Sequence, residues 1–144
     1  MKKTIVTDTK ILSQVCSEVP DNKRVYDDLF KNLIDTAMAA KNPGAAGLSA
    51  NQIGELYTAF VMLYNGHYIC VMNPKILTVS KKKKLDYEGC LSRPNSGPVE
   101  VLRHREIKIR YFDPISEEHI TRTFKGFDAR IVQHEIDHSK GVLI

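Results

Sequence analysis

Gln133-His134-Glu135-Ile136-Asp137-His138, close to the end of a chain of 144 residues, decides how the rest is read. It is a His-Glu-x-x-His pattern. On an α-helix two residues four apart lie about 40° from one another, so His134 and His138 share a face and can hold one metal ion. Glu135 projects about 100° round from His134, within reach of a water on that ion. Six residues follow His138, and none of Ser139-Lys140-Gly141-Val142-Leu143-Ile144 is a good metal ligand. A third protein ligand is therefore expected upstream, among the remaining His, Cys, Asp and Glu. Cys90, in Glu88-Gly89-Cys90-Leu91-Ser92, stands out.

The helix that carries the motif has apolar residues on two sides. Ala129, Val132 and Ile136 lie opposite the histidines and read as its core face. Phe127 and Ile131 share the histidine stripe, and the reading buries both, with Ile131 walling an apolar pocket beside the metal. A helix apolar on both sides belongs in the middle of a domain. The expected fold is α+β, with antiparallel β-sheets wrapped around a central helix bearing the motif, plus one N-terminal helix.

Working outward from the motif, three stretches resemble the signatures of the peptide deformylase family, in the family's order. They are Gly47-Leu48-Ser49-Ala50-Asn51-Gln52-Ile53-Gly54, Glu88-Gly89-Cys90-Leu91-Ser92 and the motif itself. Val101-x-Arg103, Ile107-x-Ile109-x-Tyr111 and Ala129-Arg130 are similar to the family as well, so the resemblance covers nearly the whole chain. The first stretch departs from it. The family commonly has Gly where Ala45 stands, Ala where Ser49 stands and Pro near Asn51. Members also commonly continue beyond the third signature, so this resembles a short form.

The resemblance implies an enzyme that takes formate from the N-formyl-methionine of nascent chains. Its metal ligands would be Cys90, His134 and His138, with a fourth position open for water. Glu135 would be the general base and then the acid for the leaving amine. Gln52 and the backbone N–H of Leu91 would meet the charge on the formyl oxygen. The substrate backbone would pair beside residues 45–48, at Ala46 and Gly47, and its methionine would fill the pocket near Ile131. The ligand set allows Zn²⁺, Fe²⁺, Co²⁺ or Ni²⁺; the resemblance implies Fe²⁺ in the cell and Zn²⁺ often after purification. A zincin-type metallopeptidase and a non-catalytic metal- or peptide-binding module are the two rival readings.

Composition sets the outer bounds. With 42% hydrophobic and 26% charged residues, the chain reads as one soluble globular domain, residues 1–144. Net charge is +4. Its one concentrated run, Lys81-Lys82-Lys83-Lys84, reads as a solvated hairpin tip or edge and not as a nucleic-acid site. Three cysteines without paired spacing and no apolar leader suit a reducing, cytoplasmic setting, and the same features fit an organellar or viral source. No segment approaches the roughly 20 apolar residues of a membrane span. A monomer is expected. Cys16 and Cys70 read as buried packing residues, and His67, His104 and His119 as surface residues. Glu88 and Asp137 read as supports of the site, with Asp137 paired to Arg103 or Arg130.

Local signals give the remaining elements. One helical turn is expected near Ile11–Val15. Asp21 or Asn22 should cap a helix to about Lys41, with Val25, Leu29, Leu33, Ala37 and Ala40 as its stripe and Asn42-Pro43-Gly44 as its stop. Asn65-Gly66 predicts a hairpin between Tyr57–Tyr64 and Tyr68–Met72. Asn73-Pro74 should turn the chain into Lys75–Ser80, and Leu85–Tyr87 leads into the cysteine signature. Further strands are expected at Val99–Leu102, Ile107–Phe112 and His119–Phe124.

Overall fold

In the computed structural model, which describes residues 1–40 and 45–144, a first turn of helix α1 (Thr9–Leu12) precedes the long helix α2 (Lys23–Ala39). α1 lies two residues earlier than expected, because Asp8 accepts from the Lys10 N–H and fixes its start. Asn22 caps α2, its Oδ1 accepting from the Val25 N–H at 3.3 Å. The buried stripe of α2 runs Tyr26, Leu29, Leu33, Ala37; Tyr26 replaces the expected Val25, its hydroxyl satisfied by Glu117 Oε1 at 2.7 Å. The expected end at Lys41 and the stop at Asn42-Pro43-Gly44 lie outside the described residues.

Strand β1 (Gly47–Ser49) leads into a 3-10 turn, Ala50–Ile53. Strands β2 (Ala59–Tyr64), β3 (His67–Val79), β4 (Lys83–Glu88), β5 (Val99–His104), β6 (Glu106–Asp113) and β7 (Glu118–Lys125) follow. All pair antiparallel, in a five-stranded sheet ordered β1-β2-β3-β6-β7 and a two-stranded ribbon β4-β5. Helix α3 (Gly126–Ser139) carries the His-Glu-x-x-His motif.

The sheet separates two apolar layers. Along β2, Ala59 and Val61 join Leu29, Leu33 and Ala37 of α2, while Phe60 and Met62 join Ala129, Val132 and Ile136 of α3. Alternate side chains point to opposite faces of a strand, so a strand covered on both faces must be apolar throughout. That is why Ala59-Phe60-Val61-Met62 shows no polar alternation. The Asn65-Gly66 hairpin forms as expected, both residues with positive φ (52° and 83°).

Three expectations fail here. Asn73-Pro74 is not a turn: β3 continues through it with a bulge between Met72 and Lys75. Asn73 takes φ 52°, its carboxamide bridges the Val19 N–H (2.7 Å) and C=O (3.0 Å), and a bulge tolerates the N–H that Pro74 lacks. Cys16 is half-buried, unlike Cys70. His104 is half-buried as well, its Nδ1 2.7 Å from the Ser80 carbonyl, whereas His67 and His119 are exposed. Among the described residues no helix is long and apolar enough to cross a membrane.

Candidate metal centre

Burial of Ala129, Val132 and Ile136 against the sheet fixes the rotation of α3. The opposite stripe then presents His134 and His138, whose ring centroids lie 5.0 Å apart. The ribbon β4-β5 supplies the rest. Its connection, residues 89–98, carries Cys90, and the Cys90 sulfur comes within 3.4 Å of His138 Nε2. One ligand atom from each of Cys90, His134 and His138 lies within 4.8 Å of the others. A thiolate and two imidazoles suit a first-row divalent ion.

Glu88 orients this set. It is buried at the end of a strand otherwise exposed. Its carboxylate accepts two bonds from Arg103 (3.0 and 2.9 Å), one from Arg130 (2.6 Å), and faces His134 Nδ1 at 2.8 Å. Burial opposes the Glu88 charge, but the bonds from His134, Arg103 and Arg130 outweigh it and hold its carboxyl down at about 2. With Nδ1 committed to Glu88, His134 turns Nε2 toward Cys90 and the metal position. Arg103 also pairs with Asp137, and Arg130 donates to the Val101 and Lys84 carbonyls. The ribbon is thereby tied to α3.

Burial disfavours a proton on His138 and, with the charges of His134 and Arg103, drops its pKa to about 3. Burial works the same way on His134, but Cys90 and Glu88 prevail and raise it to about 10. Glu135 is 2% exposed, and that burial pushes its carboxyl up to about 7 against the pull of His134. Its Oε1 lies 3.8 Å from His134 Nε2, and its Oε2 has no partner among the described residues. A buried acceptor left open beside three ligand atoms fits a metal centre with water at hand.

Gln52 arrives from the 3-10 turn. Its Oε1 accepts from the Ser49 N–H at 3.0 Å, which leaves Nε2 to donate to Ser92 Oγ at 3.1 Å and to face the Cys90 sulfur at 3.5 Å. These groups line a cavity of about 550 Å³ whose walls include Ala46, Gly47, Gln52, Cys90, Leu91, Phe127, Ile131, His134 and Glu135. Phe127 corrects the expectation of two buried faces: it is 67% exposed at the cavity, whereas Ile131 is 8% exposed. Phe127 stands in the first turn of α3, before the helix passes under the sheet. Gly47 is needed for close approach, since a Cβ there would meet Ile131 Cγ2 at 3.0 Å and the Glu135 side chain at 3.2 Å.

Ser49 and Asn51 stand out from sequence only as departures from the family pattern, and Ser92 only as the end of its signature; none of the three is read there as a support of the site. For Ser49 a signal existed, because Ser-x-x-Gln is a capping-box pattern and Ser49 and Gln52 form one. Asn51 donates from Nδ2 to the His138 carbonyl at 2.9 Å, a contact across 87 residues that no local pattern announces.

A model of the polypeptide deformylase family matches residues 1–144. A peptide deformylase of Thermotoga petrophila is 40% identical over 120 residues, 83% of this chain and 72% of that protein. The crystal structure of peptide deformylase from Thermotoga maritima superposes with a TM-score of 0.87 at 30% identity, covering 99% of this chain and 94% of that one. A Met-Ala-Ser-bound class I type b peptide deformylase from Acinetobacter baumannii gives 0.88 at 26% identity, covering 99% and 96%.

Proposed function

The chain belongs to the polypeptide deformylase family of metal-dependent hydrolases acting on formylated peptides, and from that premise we propose that Cys90, His134 and His138 hold its one divalent ion, with Glu135 as proton carrier. The observation that carries this reading is the buried, open Oε2 of Glu135 beside three ligand atoms within 4.8 Å. A divalent ion there supplies Lewis acidity and makes hydroxide available from water near neutral pH. We take Fe²⁺ as the ion in the cell; Zn²⁺, Ni²⁺ and Co²⁺ suit the same donors in purified protein.

Glu135 takes a proton from the attacking water as its oxygen bonds the formyl carbon. It returns that proton to the amine nitrogen as the C–N bond breaks, releasing formate and a free methionyl amine. Gln52 Nε2, aimed by the Ser49 N–H, and the backbone N–H of Leu91 meet the negative charge that develops on the formyl oxygen. Ala46, whose carbonyl is held by the Leu63 N–H of β2, and Gly47 line the cavity beside the free edge of β1, where an extended peptide would lie, and Ile131 walls the methionine pocket. The Met-Ala-Ser bound to the Acinetobacter relative supports a peptide with methionine first. In this reading residues 1–144 act as one catalytic domain, monomeric and cytoplasmic, on chains emerging from the ribosome.

Turnover under anaerobic conditions with added Fe²⁺ tests the activity. A formyl-Met peptide should release formate while an internal bond of a blocked peptide stays intact. Internal cleavage would favour a zincin-type peptidase, and no turnover of either by loaded protein would favour a binding module. For the ligand set, Cys90→Ala should lower metal content far more than Cys16→Ala or Cys70→Ala; equal contents would remove Cys90 from it. For the oxyanion, Gln52→Leu should keep the metal and lose about 10²–10³ in kcat. An unchanged kcat with a raised KM would assign Gln52 to ground-state binding instead.

A further inference from the structure

Asn51 has only half of its side chain partnered. It lies between Ala50 and Gln52 in the 3-10 turn and is 0% exposed. Its Nδ2 donates to the His138 carbonyl at 2.9 Å, which also accepts the Gly141 N–H at 3.0 Å. Its Oδ1 has no partner among the described residues. The same holds for Nδ1 of His138, a residue 2% exposed. One fully buried acceptor and one fully buried ring nitrogen are thus left over on two residues already joined by the bond from the Asn51 side chain to the His138 backbone carbonyl.

The ring nitrogen is a donor in the relevant tautomer. Nε2 of His138 faces the Cys90 sulfur at 3.4 Å, so a metal bound there leaves the hydrogen on Nδ1. His134 meets the same requirement through Glu88 at 2.8 Å. We propose that Asn51 is the positioning residue for His138: in the metal-loaded protein its carboxamide spans the His138 backbone carbonyl through Nδ2 and the His138 Nδ1–H through Oδ1. The inference rests on reading His138 as a metal ligand through Nε2.

Buried N–H and C=O groups without partners forfeit the bonds they make with water in the unfolded chain, so pairing the two removes both losses. The terminal torsion of a carboxamide is broad, so the orientation of the Asn51 amide can adjust when the metal binds. The reverse orientation of Asn51 would set Oδ1 against the His138 carbonyl oxygen, which fixes the amide as described. Because Gln52 is the next residue, the same contact ties the oxyanion donor to the last turn of the metal-bearing helix.

The test is nitrogen-15 NMR of the full chain loaded with Zn²⁺. Wild type should show His138 bound through Nε2, a slowly exchanging Nδ1–H signal, and a cross-peak from that proton to the Asn51 carboxamide protons. Asn51→Ala should lose the His138 signal, keep the corresponding His134 signal, and release Zn²⁺ about 10–100-fold faster. A Zn²⁺-loaded wild type bound through Nε2 but without the cross-peak overturns the proposal alone, whether or not the variant folds. An Nε2 that does not bind Zn²⁺ overturns the ligand reading and the proposal with it. Equal loss of both histidine signals in Asn51→Ala would mean general loosening and also overturns it.

Discussion

Glu135→Gln will leave the metal in place and cut turnover of formyl-methionyl peptides by about 10²–10⁴-fold, the range typical of losing a general base. The side chain is buried, close to isosteric with its replacement, and makes no ion pair with the Arg103–Glu88–Arg130 cluster that supports the fold. Gln can still hydrogen-bond water but cannot take its proton. The loss should be uniform across acyl-peptides, because the defect lies in water activation and not in the pocket. With Glu135 as the proposed base, activity should require the ionised carboxylate, present above the Glu135 pKa and lost as pH falls through it. Burial puts that pKa at about 7 in the metal-free protein, and a cation nearby moves the acidic limb lower. The variant should lack this limb. A metal-replete Glu135→Gln protein deformylating near the wild-type rate would sink the mechanism, and a variant whose residual activity tracks lost metal would make Glu135 structural.

What the sequence made legible is local. Histidines four apart and a glutamate next to the first are a property of one helix, and the burial of Ala129, Val132 and Ile136 follows from the same periodicity. The Asn65-Gly66 hairpin is legible because two residues determine it. Asn73-Pro74 misleads because its turn signal is absorbed by a bulge opposite β6, with the Asn73 side chain held by Val19, 54 residues away. Phe127 misleads because periodicity gives a residue's side of the helix but not where along the helix the covering sheet ends. The roles of Gln52 and Leu91 enter through the family resemblance, whereas Cys90 stands out from its own local stretch, although the spacing of the motif alone leaves the third ligand open. Their support was less visible. Asp137 with Arg103 was one of two alternatives from the helical wheel, and the four-bonded Glu88 depends on side chains 15, 42 and 46 residues away.

That depth of contact makes Glu88→Gln the most destabilising single change expected here. In the wild type one carboxylate pairs with both Arg103 and Arg130, which are buried with side chains 8% and 7% exposed. Gln keeps the volume but removes the charge. Arg103 retains Asp137, whereas Arg130 is left with two carbonyls, Val101 and Lys84. Breaking a buried ion pair from one side typically costs about 3–5 kcal/mol, because the other charge stays desolvated. Domains have about 5–15 kcal/mol in all, so the variant should remain folded but with a clearly lowered denaturant midpoint. In a chain of this size the loss corresponds to roughly 6–20 °C in Tm. Metal retention should fall as well, since His134 loses the carboxylate that orients its ring. The pH dependence follows from the same group. Its folded pKa, about 2, lies below the ordinary 4.5, so its stabilisation is complete above pH 4.5 and lost as pH falls toward 2. Wild type should lose stability across that window and the variant should lose less. Chemical unfolding at pH 7 and pH 3, with metal content measured alongside, checks all of this; a Glu88→Gln protein with a wild-type midpoint at pH 7 would show that the two arginines do not depend on Glu88.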